Sequence, residues 1–176
     1  MTEIMEIESK LSPAATEFIL HWGNLGSQWG VNRSVAQIHA LLFISDRARH
    51  AEEIADLLGL ARSNVSNSIK ELLAWRLIDR VPLLGDRRDH FTAEKDIWKV
   101  ATQIIKERKK RELDPMLKLL SQLENIDGDK KDRESKQFTE MIGSIKKLGN
   151  QADKMLDVMI KAEEHWFTGN ILKIFK

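Results

Sequence analysis

Apolar residues recur at spacings of three and four along most of this chain, and alternate with polar ones over one short stretch. The densest information lies between Ala51 and Trp75, where two short amphipathic runs flank Gly59. The first run aligns Ile54, Leu57 and Leu58 on one helical face, and the second aligns Val65, Ile69, Leu72 and Leu73. At about 100° per residue, Ser63, Asn67 and Lys70 then point away from the apolar stripe, with Asn64 and Ser66 on its flanks. No acid falls between Ala61 and Lys70. A helix with one face docked and the other short, amide-bearing and basic suits the floor of a DNA major groove. There Asn can bond an adenine edge twice, and Lys can reach a guanine or a phosphate.

The remaining elements follow from the same pattern. Residues 1–11 read as a loose lead-in. Ser12-Pro13 predicts a helix start, with Ser as N-cap and Pro at the first position. Ala15, Phe18, Ile19, Trp22, Leu25 and Trp29 follow at helical spacing, and Gly23, Gly26 and Gly30 share another face. Each glycine costs a helix about 1 kcal/mol. Close backbone approach to a neighbouring helix is the favoured reason for them; the alternative is a kink or an end near Gly23 to Gly30. Asn32 or Ser34 restarts a helix, with Ser34 and Gln37 at capping-box spacing, and Val35, Ile38, Leu41, Leu42 and Phe43 make it a core helix. Residues 46–50 read as a charged turn.

After Trp75 the period changes. Residues 76–82 alternate apolar and polar and predict a strand, 83–89 a charged turn, and His90-Phe91-Thr92 a returning strand. A strand, basic turn and strand behind a helix-turn-helix make a wing. Helical spacing resumes with Ile97, Val100, Ala101, Ile104 and Ile105, and Lys106 to Arg111 carries five bases and one acid. Asp114-Pro115 reads as a new N-cap and first position, hence a kink or restart. Residues 125–135 read as a polar loop centred on Gly128. The last helix is predicted by a heptad seam through Phe138, Met141, Ile145, Leu148, Ala152, Met155, Met159, Ala162 and Trp166, with an apolar tail at Phe167, Ile171, Leu172, Ile174 and Phe175. That seam must pack, either back on the first helix and the 93–125 arm or on a second chain.

Composition narrows the classes. The chain has 176 residues, 42% of them hydrophobic, enough for a core. Its net charge of +1 means that any basic footprint for nucleic acid is local. It has no Cys, so no disulfide, Cys-ligated metal or Cys nucleophile, which fits a reducing cytoplasm. The acidic N-terminus is no secretory signal, and the longest nearly apolar run, 36–44, is too short to span a bilayer. Histidines 21, 39, 50, 90 and 165 have no metal-binding spacing. No nucleophile elbow or phosphate loop is legible, so neither an enzyme nor a cofactor is expected.

Residues 34–94, with AEEIADLLGLARSNVSNSIKELLAWRLIDR and the wing turn GDRRDHF, resemble the winged helix of MarR-type transcriptional regulators. The triplet Asp86-Arg87-Arg88 is similar to that family's Asp-x-Arg wing signature, which implies that Asp86 braces an arginine entering the minor groove. The segments 23–42 and 107–120 resemble the GbsR-type branch more narrowly. The resemblance implies a homodimer on a palindromic operator, with recognition helices in successive major grooves. It also implies a choline-like effector in an aromatic box, for which Trp22, Trp29, Phe91 and Trp98 are the candidates in a chain without Tyr. Where such modules carry a Ser or Thr N-cap after Leu60, this chain has Ala61, so the cap moves to Ser63 or the first amides stay free for a phosphate. The second reading is favoured.

These readings give a mainly α fold with a small two-stranded β wing. Residues 1–31 form an N-terminal dimer or scaffold helix, 32–95 the winged helix-turn-helix, and 96–176 a helical dimerisation arm. The expected function is sequence-specific DNA binding by a cytoplasmic dimeric repressor that a small molecule relieves. DNA contacts are expected from Arg62, Ser63, Asn64, Ser66, Asn67, Lys70, Arg80, Arg87 and Arg88, with Arg62 and Arg80 on phosphates. The alternative is a winged-helix protein-interaction or basal-transcription module without sequence-specific readout.

Overall fold

The computed structural model describes residues 11–126 and 133–174. The lead-in before Leu11, the centre of the 125–135 loop and the side chains of Trp166 and the apolar tail lie outside the described residues. The chain forms two compact units, residues 1–100 and 101–176. Among the described residues no helix is long and apolar enough to cross a membrane.

The first unit is built on α1 (Pro13–Gln28), α2 (Arg33–Ile44), β1 (Arg49–His50), α3 (Ala51–Leu58), α4 (Arg62–Ala74), β2 (Ile78–Val81) and β3 (His90–Ala93). Ser12 caps α1 by accepting from the Ala15 amide at 3.2 Å. α1 ends in a Schellman turn: the Val31 amide donates to Gly26 and the Gly30 amide to Ser27, with Gly30 left-handed at φ 78°. Gly30 is thus a terminator, while Gly23 and Gly26 serve close packing. A Cβ on Gly26 would lie 2.6 Å from Ala36 Cβ, and one on Gly23 would lie 2.6 Å from Gln37 Cγ. Asn32, not Ser34, caps α2, accepting from the Ser34 amide at 2.9 Å.

α2 is the central helix of this unit. Its Ile38, Leu41 and Leu42 are fully buried, as are Ile54 of α3 and Val65 of α4, with Leu72 and Ile78 nearly so. Burial of such side chains is worth about 1.5–3 kcal/mol each. The sheet has three antiparallel strands in the order β1-β3-β2, not the two expected. Arg49 pairs with Phe91 and His50 with His90, so part of the charged turn is a strand. Two residues are too few to display alternation, and only their pairing with β3 defines them. Just past β3, the Lys95 ammonium donates to the carbonyls of Leu42 (2.6 Å), Phe43 (3.0 Å) and Ser45 (2.6 Å), closing the C-terminus of α2.

α2 also buries His39, between the rings of Trp22 and Phe43 at 6.3 and 6.0 Å. Its Nε2 has no hydrogen-bond partner among the described residues. Burial first, and the Lys95 charge second, push this imidazole down to about 4.

In the second unit, the part of α5 (Ile97–Arg108) from Ala101 on runs through a π-helical turn (Lys109–Leu113) into α6 (Asp114–Ile126). The expected N-cap at Asp114 is absent. Asp114 is helical at φ −60° and ψ −45°, and the chain neither restarts nor leaves the helix there. Pro115 offers no amide to the preceding turn, and the wider π turn just before it absorbs the missing bond. α7 (Arg133–Ile174) packs along α6 through a face containing Ile142 and Gly149, and a Cβ on Gly149 would lie 2.7 Å from Leu117 Cδ2. Lys109 anchors the π turn to Asp153 at 2.8 Å, Asp114 at 3.3 Å and Asp157 at 3.6 Å, and Asp153 above all raises its proton affinity above the ordinary lysine value. The heptad seam is a different face. Phe138, Met141, Ile145, Leu148, Met155 and Met159 stay exposed, Leu148 at 68% and Met155 at 70%.

Candidate nucleic-acid interface

α3 and α4 meet at Gly59, whose left-handed backbone (φ 61°) turns the chain without a Cβ penalty. α4 buries Val65, Ser68, Ile69 and Leu72 and leaves Arg62, Ser63, Ser66, Asn67 and Lys70 exposed. The helix starts at Arg62 with Ala61 in the cap position and no side-chain cap bond, so the start does not shift to Ser63. Its first amides thus keep their partial positive charge at the exposed end.

Asn64 sits apart from this group. It is half-buried, donates its amide to Ser34 Oγ at 2.9 Å, and accepts from Ser68 Oγ at 3.4 Å. It locks α4 onto the first turn of α2 and is taken up by the fold. Ser68, buried one turn on from Asn64, belongs to the same lock and was not singled out by periodicity. A small polar residue at i+4 on an apolar face was the available signal.

The wing folds from local turn chemistry. The Asp86 amide donates to the Leu83 carbonyl at 3.2 Å, and Gly85 between them takes φ 85°. Asp86 then grips Arg88: its Oδ1 accepts from the Arg88 amide at 3.0 Å and from Nε at 2.9 Å, and its Oδ2 from Nη2. Those bonds hold the Asp86 carboxyl well below the usual carboxylate range, with the Arg88 guanidinium the main cause. Arg88 is half-exposed and Arg87 exposed beside it. Arg80 pairs with Asp89 at 3.2 Å across the wing, and Arg62 pairs with Glu52 at 3.4 Å. The Arg80 and Arg62 pairs are solvent-facing, so a phosphate can replace their carboxylates at little cost.

The basic run 106–111 is laced with acids. Besides the Lys109 cluster, Arg111 pairs with Glu107 at 3.2 Å and Arg108 with Glu112 at 3.7 Å. The aromatic candidates are dispersed. Trp22 stacks with Phe18 and His39, Phe91 is buried in β3, and Trp29 and Trp98 are 63% and 68% exposed. Among the described residues no cluster of three His, Asp or Glu side chains could hold a metal ion.

Comparison with known proteins bears on the family and the fold. Residues 29–89 match the profile of the MarR family. A crystal structure described as a transcriptional regulator is similar to this chain with a TM-score of 0.68 and 17% identity, over 87% of this chain and 99% of that one. That likeness shows the fold. The transcriptional regulator Tm0710 from Thermotoga maritima (TM-score 0.39, 17% identity, 88% and 99% coverage) and the MepR–DNA complex of S. aureus (0.36, 20%, 75% and 92%) are more distant, and what they bind is a property of those proteins. No curated protein sequence matches this chain.

Proposed function

We propose that the protein is a MarR-type transcriptional regulator that reads DNA sequence as a homodimer and represses until a small molecule relieves it. The observation that carries the reading is the exposed polar face of α4, with no acid between Ala61 and Lys70, beside a braced basic wing. Ser63, Ser66, Asn67 and Lys70 face the major groove floor, the free amides of α4 and Arg62 take phosphates, and Arg87 and Arg88 enter the flanking minor groove. Arg80 takes a backbone phosphate on the wing side. The uncovered seam of α7 supplies the dimer contact, which sets the two recognition helices one turn of DNA apart. Segments 23–42 and 107–120 favour the GbsR-type branch.

The expected result of Asn67→Ala is a loss of about 1–3 kcal/mol in affinity for a duplex recovered by the parent from a randomised pool, with relaxed preference at one base and an unchanged salt slope. Equal affinity and equal selectivity would remove Asn67 from the readout. An interaction module of the same fold would show neither a steep salt dependence nor a specificity ratio.

Relief by a small molecule is supported by a cleft of about 370 Å³ within the first unit, lined by Ile19 and Leu20 of α1, Gln37 of α2, and Asp56, Leu57 and Leu58 of α3. Apolar walls with one carboxylate suit a small organic cation, and the cleft touches the first helix of the helix-turn-helix. Choline is expected to raise the melting temperature by mass action, and Asp56→Asn to abolish the rise. A parent that does not respond, or an undiminished response in the variant, sinks the cleft as the effector site.

A further inference from the structure

Two separate elements grip the wing arginine. Asp86 takes Nε and Nη2, from within the wing. On the other side, His50 Nε2 lies 3.0 Å from Arg88 Nη1, across 38 residues of sequence. His50 stands at the junction of β1 and α3. It pairs with His90 in the sheet, its ring meets the His90 ring edge-on at 5.4 Å, and its Nδ1 lies 3.3 Å from the Glu53 amide, in the N-cap position of α3. Glu52 lies farther off, 3.9 Å from the same Nη1. His90, behind the pair, contacts the Arg88 carbonyl through Nδ1 at 3.1 Å and Asp86 through Nε2 at 3.5 Å.

We infer that His50 is a positioning residue for the wing arginine: its Nε2 holds Nη1 of Arg88 and so ties the wing to the first helix of the helix-turn-helix. This rests on the proposed DNA reading. A guanidinium has five N–H donors. Asp86 and His50 use one each on Nε, Nη2 and Nη1, and two remain, on a side chain that is half-exposed. Those two are presented in one fixed orientation, so the arginine meets DNA with its rotamers already restricted. The imidazole also has a limit. In neutral form it carries a single acceptor nitrogen, yet an amide donor faces one nitrogen and a guanidinium donor the other. Tautomer exchange therefore decides whether the ring caps α3 or holds the wing, and the two states are mutually exclusive.

Two variants separate the roles. The Asn oxygen sits near the position of Nδ1 and is a strong N-cap, but stops short of Arg88. The Gln oxygen reaches the position of Nε2 but caps poorly. Binding is measured to the duplex recovered by the parent from a randomised pool. His50→Asn is expected to bind about fivefold more weakly, and His50→Gln within about twofold of the parent. In an Arg88→Ala background, His50→Asn is expected to change affinity by less than about twofold, because its effect runs through Arg88. The same fivefold loss in that background overturns the inference.

A second readout needs no DNA. In the free protein, NMR should show slowed rotation of the Arg88 Nη1 group in the parent and in His50→Gln, and fast rotation in His50→Asn. Equal rates in all three overturn the inference. If no duplex is recovered, or Arg88→Ala binds like the parent, it is the DNA reading of the wing that fails, and the rotation rates still decide the role of His50.

Discussion

Replacing Leu148 and Met155 together with glutamate is expected to convert the protein to a monomer and to weaken operator binding by about two to four orders of magnitude. Both residues lie on α7, seven positions apart, and both are exposed by more than two thirds. The face α7 turns toward α6 contains Ile142 and Gly149, so the substitutions leave that packing intact. In a dimer they place like charges in an apolar seam, where each carboxylate loses water without gaining a partner. The loss on DNA is large because the second half-site no longer binds at a high effective concentration. Sedimentation equilibrium and binding isotherms check the two halves of the claim. A dimer that persists, or a monomer that binds as tightly as the parent, removes the seam from the interface.

Acidification is expected to cost the first unit about 3 kcal/mol through His39 alone. The folded value of about 4 lies below the ordinary value of 6.5. The folded state therefore binds fewer protons than the unfolded one. The stability that follows is fully present above about pH 6.5, declines as pH falls, and is gone below about pH 4. The physical cause is a ring buried between Trp22 and Phe43 with an unpartnered Nε2, near the Lys95 ammonium that closes the same helix. Charging it would bury a cation without an acceptor. His39→Phe retains a flat ring of similar size and should flatten the unfolding free energy between these pH values. Denaturant titrations of parent and variant across that range test this, and identical pH dependence in the two would rule His39 out as the source.

The parts of the site that were legible in sequence are the local ones. Asp86 and Arg88 stand two residues apart in one turn, and the likeness of their triplet to the family's wing signature implied the pairing that the structure forms. The exposed face of α4 follows from period, because Val65, Ile69 and Leu72 leave Ser63, Ser66, Asn67 and Lys70 no other side. At Ala61 the sequence left the helix start open between a cap moved to Ser63 and free first amides, and the structure starts the helix at Arg62. The hydrogen bond of Asn64 was not legible, because the flank of a helix faces either solvent or a neighbour, and only Ser34, 30 residues away, decides which.

The sequence by itself determined the helices, the cap at Ser12, the turn at Gly59, the strands of the wing and the outward polar face of α4. Each of these is dictated by backbone preferences and hydrophobic period within a few residues. Tertiary structure alone decided the third strand at Arg49–His50, the capture of Asn64 by Ser34, the meeting of His50 with Arg88, the closure of α2 by Lys95 and the face by which α7 meets α6. A pattern of residue types records whether a side chain prefers water. It does not record which distant donor arrives to use its acceptor, and that is settled only when the packed elements bring the two together.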